Sequence, residues 1–469
     1  MPPQIATAVC LSLVVWLFWH DIRRGKTASW ALWVPTVWMF FAASRFPSQW
    51  FNLGAPLHTV SSLDGSSFDL VVFAALIALA AAILARRCVP WGVVALVNAP
   101  VFLYFAFGAV SVTWSDYPFV SFKRLIKASG NVLMVLVVLT ELKPYNALEL
   151  TIRRLSFVLL PLSLLFIKYY PHLGRTYHMG EPLFTGVATH KNGLGQLSLI
   201  AGVYFLWRLV VARRKGSETE PRSVNATDLL LLGLALWLLN LADSATSTAC
   251  VAVAAGVFLT SQVPALRRRP KTLVPLSLLT VAVVGMLDGL FNITDKIILM
   301  LGRRPDLTTR VPMWNDLISI VKRPFVGYGY ESFWLGPRQY YMAETWGISG
   351  QAHNGYLEMY LNLGLVGVGF IIAWALLGLG RVTRLLPIDY SVAVLNFSFL
   401  VVVLLYNWTE ATFYGVSIMW MLLLLAIMRV PQIESDRGVR TVATKHKRKT
   451  HPRPFAITRS DVGDRPDAW

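Results

Sequence analysis

Gln351-Ala352-His353-Asn354-Gly355-Tyr356-Leu357-Glu358 marks the point where a polar segment gives way to a long apolar run, 356–379. A bilayer-spanning helix takes roughly 20 mainly apolar residues, so that run is long enough to cross a membrane. The octapeptide sets an imidazole and two hydrogen-bonding side chains, Asn354 and Glu358, at the junction. Upstream, from about Phe291, lies the longest polar segment between two hydrophobic runs. It carries Arg303, Arg304, Arg310, Lys322, Arg323 and Arg338. Such a loop can receive an anion at a membrane surface. A histidine beside an arginine set suggests transfer chemistry on a lipid-linked phosphate.

Composition extends the membrane reading to the whole chain. Of 469 residues, 55% are hydrophobic and only 14% charged, and the mean hydropathy is +0.54. A soluble protein would carry about 25% charge. The expected fold is an all-α polytopic integral membrane protein. Apolar runs at 4–20, 28–44, 68–85, 91–110, 124–141, 154–170, 193–211, 228–243, 247–264, 272–290, 356–379, 390–408 and 412–429 predict about twelve or thirteen transmembrane helices. The predicted organisation is membrane helices over 1–290, a large periplasmic loop over 291–355, further membrane helices over 356–430 and a basic, disordered tail over 431–469.

Basic residues cluster at every second connection: Arg23-Arg24-Gly25-Lys26, Arg86-Arg87, Arg153-Arg154, Arg213-Arg214-Lys215, Arg267-Arg268-Arg269, Arg381 with Arg384, and the tail after Arg429. The positive-inside rule then places the N-terminus outside, the tail inside and the 291–355 loop outside. The net charge of +18 follows from this topology. Lys445-His446-Lys447-Arg448-Lys449 reads as a solvated tail on anionic headgroups rather than a nucleic-acid contact. Cys10, Cys88 and Cys250 form no CxxC and no plausible pair. The first run lacks a basic leader and precedes Arg23-Arg24, as in an anchor that is retained.

Sorting by side leaves 45–67, 111–123, 171–192, the turn near Asp243, the large loop and the turn Asn407-Trp408-Thr409-Glu410 on the outer face. In the third of these, Arg175 precedes His190-Lys191-Asn192-Gly193-Leu194-Gly195. The polar cluster opens a helix, whose free N–H groups suit phosphate oxygens. The bland alternative is a helix start with a snorkelling Lys191 and glycine packing. In the large loop, Thr309 is a possible N-cap ahead of Arg310, and the apolar residues at 317, 318, 320 and 321 form a face that could lie on the bilayer. The run Gly327-Tyr328-Gly329-Tyr330 is a glycine-permitted turn whose rings suit stacking on sugar faces. His353, at a helix start, is favoured as the neutral imidazole that can accept a proton. A lone interfacial histidine is usually unremarkable; beside Arg310 and the Arg175/Lys191 segment it reads as catalytic.

These motifs resemble the O-antigen ligase and polysaccharide polymerase superfamily, and within it the exopolysaccharide-production branch (ExoQ-like proteins). The resemblance is carried by Trp114-Ser115-Asp116 with Pro118, Gly186 with His190–Gly195, Leu301-Gly302-Arg303, Arg310 with Trp314, Pro324 with Gly327-Tyr328-Gly329, Phe333-Trp334 and Ala352–Glu358. It implies a GT-C-like glycosyltransferase of the bacterial inner membrane. Such an enzyme takes an oligosaccharide from undecaprenyl diphosphate to an acceptor hydroxyl, inverting, without metal or other cofactor. His353 would orient or deprotonate the acceptor. Arg310 and Arg175, with Lys191, would hold the diphosphate. Trp314, Tyr328, Tyr330 and Trp334 would contact sugar rings, and His190, Asn192, Asn354 and Glu358 would complete the substrate site. The expected partners are the lipid-linked oligosaccharide, membrane lipids and other polysaccharide-assembly proteins, with no nucleic acid. Polymerisation is favoured over ligation to lipid A core. A polysaccharide transporter or a non-catalytic assembly subunit is the remaining alternative, and few ionisable residues (Lys127, Asp288) fall mid-membrane to support transport.

Overall fold

The computed structural model describes residues 1–23, 28–51, 66–178, 180–211, 225–279, 286, 307–348 and 350–431. Arg303 and Arg304, most of the 272–290 run, Arg213-Arg214-Lys215 and the tail lie outside them. The described residues are helical apart from one hairpin, in which Arg175–His178 pairs antiparallel with Glu181–Phe184.

Among the described residues, six helices are long and apolar enough to cross a membrane: Pro3–Ile22, Ser67–Ala85, Pro144–Tyr169, Lys191–Val210, Gly355–Leu385 and Tyr390–Thr409. A seventh candidate is broken, Trp91–Val97 and Ala99–Trp114 meeting at 89°. At the break, the Asn98 amide donates to the carbonyls of Val94 (2.7 Å) and Arg429 (2.9 Å), and Pro100 supplies no N–H. The runs expected at 28–44, 228–243, 247–264 and 412–429 appear as shorter apolar helices. The run at 124–141 belongs to Pro118–Leu139, whose first half carries Lys123, Arg124 and Lys127. The protein is thus an all-α polytopic membrane protein, and among the described residues fewer helices reach full spanning length than the apolar runs imply. Several of those runs fold as short or bent segments packed against their neighbours.

Charge is buried at one end of this bundle. Arg153 is not a loop residue: its helix starts at Pro144. It bridges Asp21 (2.7 Å) and Asp228 (2.6 Å). Arg208 bonds the other oxygen of Asp228 (2.9 Å) and Glu149 (3.3 Å). The network ties four helices, and losing one member would leave a charge buried without its partner.

The Gly355–Leu385 helix is interrupted at Gly364, where φ is +64° and ψ −158°. A β-carbon there would fall 2.2 Å from the backbone of Phe325, so glycine is required twice over. The interruption frees peptide groups that lipid cannot satisfy. Residues of the large loop take them: Leu365 N–H donates to the Pro324 carbonyl (2.9 Å), Val366 N–H to Phe325 (3.2 Å), and Gly329 N–H donates to Asn362 (2.9 Å). The glycine–tyrosine run is therefore spliced into a membrane helix. That splice fixes the loop relative to His353.

Candidate functional site

His353 sits between elements that are each pinned. Ahead of it, the Ala352 carbonyl accepts from Trp314 Nε1 (2.8 Å), and the Ala352 N–H donates to the Glu358 carboxylate. Behind it, Asn354 Oδ1 caps the helix by accepting from Tyr356 N–H (3.0 Å) and Leu357 N–H (3.1 Å). Gly355 N–H donates to the Glu410 carbonyl (3.0 Å). His353 itself is held at φ +52°, a left-handed conformation that a side-chain-bearing residue keeps only when its surroundings impose it.

The imidazole faces Glu410, with Nδ1 3.7 Å from Oε2. That Nδ1 is buried and has no hydrogen-bond partner. The side chain as a whole is 28% exposed, although its Nδ1 is buried. Glu410 uses its other oxygen to accept from Asn192 Nδ2 (2.7 Å). Arg310 Nη1 donates to the Thr409 carbonyl (2.5 Å). Adjacent residues of one turn therefore bring Arg310, His353 and Asn192 together from three separate stretches.

His190 caps the Lys191–Val210 helix, its Nδ1 accepting from Gly193 N–H (3.0 Å), so the neutral ring carries its proton on Nε2. Burial pushes the His190 imidazole below its ordinary value of 6.5; Glu410 opposes this and His353 adds to it. The folded pKa lies below the unfolded one, so this contribution is present above about pH 6.5 and is lost as pH falls. Thermal stability in detergent should drop between pH 7.5 and 5.5 as protonation of His190 removes the capping acceptor. His190→Asn, which keeps a capping acceptor, should flatten that drop. An unchanged slope would assign it to another group.

Several expected contacts are corrected by burial. Tyr330 is 1% exposed, its ring against Tyr104. Tyr328 is buried, with its hydroxyl between Lys322 N–H (3.0 Å) and the Ile320 carbonyl (3.1 Å). Trp334 is buried and gives Nε1 to both oxygens of Glu358 (2.9 and 2.8 Å). These rings have no face left for a sugar, whereas Trp314 is only half-buried. Asn354 and Glu358 are likewise spent on shaping the histidine loop. Leu317 is fully buried with Met313, Tyr328 and Phe333 and so packs the loop, whereas Ile318 on the expected apolar face is exposed; the side chain of Thr309 lies outside the described residues. Arg175 donates to the Ile167 carbonyl (2.9 Å) and lies over Phe184, and among the described residues it makes no hydrogen bond or ion pair with the histidine cluster. Lys191, half-buried, opens the helix beside Asn192.

Three contributors escaped the sequence reading. Glu410 had registered only as part of an outer turn. Arg45 donates to the carbonyls of Leu173, Gly186 (3.3 Å) and Ala188 (3.3 Å), clamping the segment that leads to His190. Glu331, at φ +48°, accepts from Gly415 N–H (2.7 Å) and ties the loop to the segment after Glu410; burial raises its pKa. Among the described residues, no group of three or more His, Cys, Asp or Glu is placed to hold a metal ion.

No curated protein matches the chain. Residues 230–372 match the family model described as O-Antigen ligase. That stretch holds Arg310, Trp314, His353, Asn354 and Glu358, while Asn192 and Glu410 lie outside it. The octapeptide at the loop-to-helix junction lies inside the matched stretch, so this part of the chain, with its histidine, is similar to the O-antigen ligase family.

Proposed function

We propose that the chain is an inverting, metal-independent membrane glycosyltransferase. It moves oligosaccharide repeats from undecaprenyl diphosphate to an acceptor hydroxyl at the periplasmic face of the inner membrane, and so polymerises an exopolysaccharide or O-antigen-type glycan. The observation that carries this reading is the convergence of Arg310, His353 and Asn192 on the Thr409-Glu410 turn. Arg310 and Lys191 grip the diphosphate, with Arg175 nearby on the hairpin, and stabilise the charge that grows as the sugar departs. His353 takes the acceptor proton. The acceptor oxygen bonds to the anomeric carbon while the carbon–phosphate-oxygen bond breaks, its electron pair leaving with the diphosphate. Trp314 contacts the sugar. In this topology the N-terminus is periplasmic and the tail cytoplasmic.

The matched family's description supports a second reading, ligation of the glycan to a lipid A core. Protein in lipid nanodiscs, given only the lipid-linked repeat, should build longer lipid-linked chains. Product formed only when a core acceptor is added would establish ligation. No transfer with either acceptor would overturn both readings. Chelator should leave the rate unchanged, and loss of activity restored by a divalent cation would refute the metal-independent mechanism.

A further inference from the structure

The Glu410 side chain is only 9% exposed, and among the described residues no lysine or arginine side chain pairs with its carboxylate. A buried carboxylate held by a neutral amide alone is costly. Asn192 occupies Oε1, so Oε2 is the oxygen left for another donor. Opposite Oε2 is His353 Nδ1, also buried and without a hydrogen-bond partner. Two complementary groups thus face each other across 3.7 Å, about half an ångström beyond N–H···O range. Catalytic hydrogen bonds are commonly long in ligand-free sites and tighten in the reacting complex. The backbone keeps the pair in register, because Gly355 N–H is bonded to the Glu410 carbonyl. A β-carbon on Gly355 would fall 2.1 Å from Asn407 Oδ1, so the helix start cannot ride away from that turn.

We propose that Glu410 is the positioning carboxylate of the transfer reaction: it accepts a hydrogen bond from His353 Nδ1–H and so leaves the Nε2 lone pair facing the acceptor hydroxyl. The inference rests on the transferase reading above. In the step, the hydroxyl proton moves to Nε2, the acceptor oxygen bonds to the anomeric carbon, and the diphosphate leaves with the electron pair. Glu410 stays ionised throughout. It fixes the tautomer and ring orientation and stabilises the imidazolium that forms. Asn192 keeps the carboxylate from rotating. Because Asn192 follows Lys191 at the same helix start, the element facing the donor phosphates also aims the base.

The test pairs a tautomer measurement with kinetics, on the full-length protein in nanodiscs. With 15N-labelled histidine, His353 should be the Nδ1–H tautomer in the wild type. In Glu410→Gln, a side-chain NH2 can donate to Nδ1 and move the proton to Nε2. That variant should show the opposite tautomer and lose about 10²–10⁴-fold in kcat, with KM for the lipid-linked donor nearly unchanged. Glu410→Asp, which keeps the charge, should retain the wild-type tautomer and recover part of the rate. An Nε2–H tautomer in the wild type overturns the proposal without any variant, and so does a Glu410→Gln protein with wild-type kcat. If wild-type protein transfers no glycan, the transferase reading itself has failed. If it transfers glycan and His353→Ala does not, but Glu410→Gln matches wild type, only the role of Glu410 is lost.

Discussion

Replacing His353 by alanine should lower the transfer rate by about 10²–10⁴-fold, the usual worth of a positioned general base, while the protein remains inserted and abundant. The structure makes alanine a clean probe. The left-handed φ of +52° is open to alanine, though less readily than to histidine, so the substitution adds only a small backbone cost. The ties around the loop, Trp314 to Ala352, Ala352 to Glu358, the Asn354 cap and Gly355 to Glu410, use no atom of the imidazole. Loss of activity would then report chemistry, not collapse. A base acting in the transition state should change kcat and kcat/KM together, with KM for the donor nearly constant. Wild-type polymer length and yield in this variant would remove His353 from the mechanism.

Arg310→Lys should cost about 10²–10³-fold in kcat/KM, comparable to losing one preorganised donor to a developing oxyanion. In the structure one Nη1–H of Arg310 is given to the Thr409 carbonyl. Guanidinium has five N–H donors in a rigid fork, so a pair remains available to grip two phosphate oxygens while the first anchors the side chain. Lysine offers a point charge and cannot make both contacts in that geometry. Arg310→Ala should be at least as severe. If Arg310→Lys supports full transfer, Arg310 serves only to tie the loop to the Thr409 turn.

The membrane character and the placing of the histidine junction at a helix start were legible because each rests on local sequence: hydropathy in one case, polar side chains ahead of an apolar run in the other. The match over residues 230–372 covers the same junction. Partner choice was less accessible. That Asn354 and Glu358 share a helix face follows from spacing. That Glu358 receives the Trp334 indole depends on how the loop folds back. Tyr330 looked like a sugar platform because aromatic rings beside glycines suit that role. The glycines instead answer the break at Gly364, and the ring fills the core against Tyr104. Glu410 is a lone acid after an apolar helix, and its partner Asn192 lies 218 positions earlier. No periodicity connects residues that far apart, so only tertiary structure could supply the pairing.

The splice at Gly364 also bears on biogenesis. Residues 324–329 emerge from the ribosome before 361–366, so the amides and carbonyls that complete the broken helix already exist when that helix enters the bilayer. The transmembrane segment cannot reach its final hydrogen-bonding state by itself, and unmet peptide groups in hydrocarbon are worth several kcal/mol each. Maturation of this helix is thereby chained to prior docking of the loop, and a chain whose loop stays undocked would be left with a membrane segment open to quality-control proteolysis.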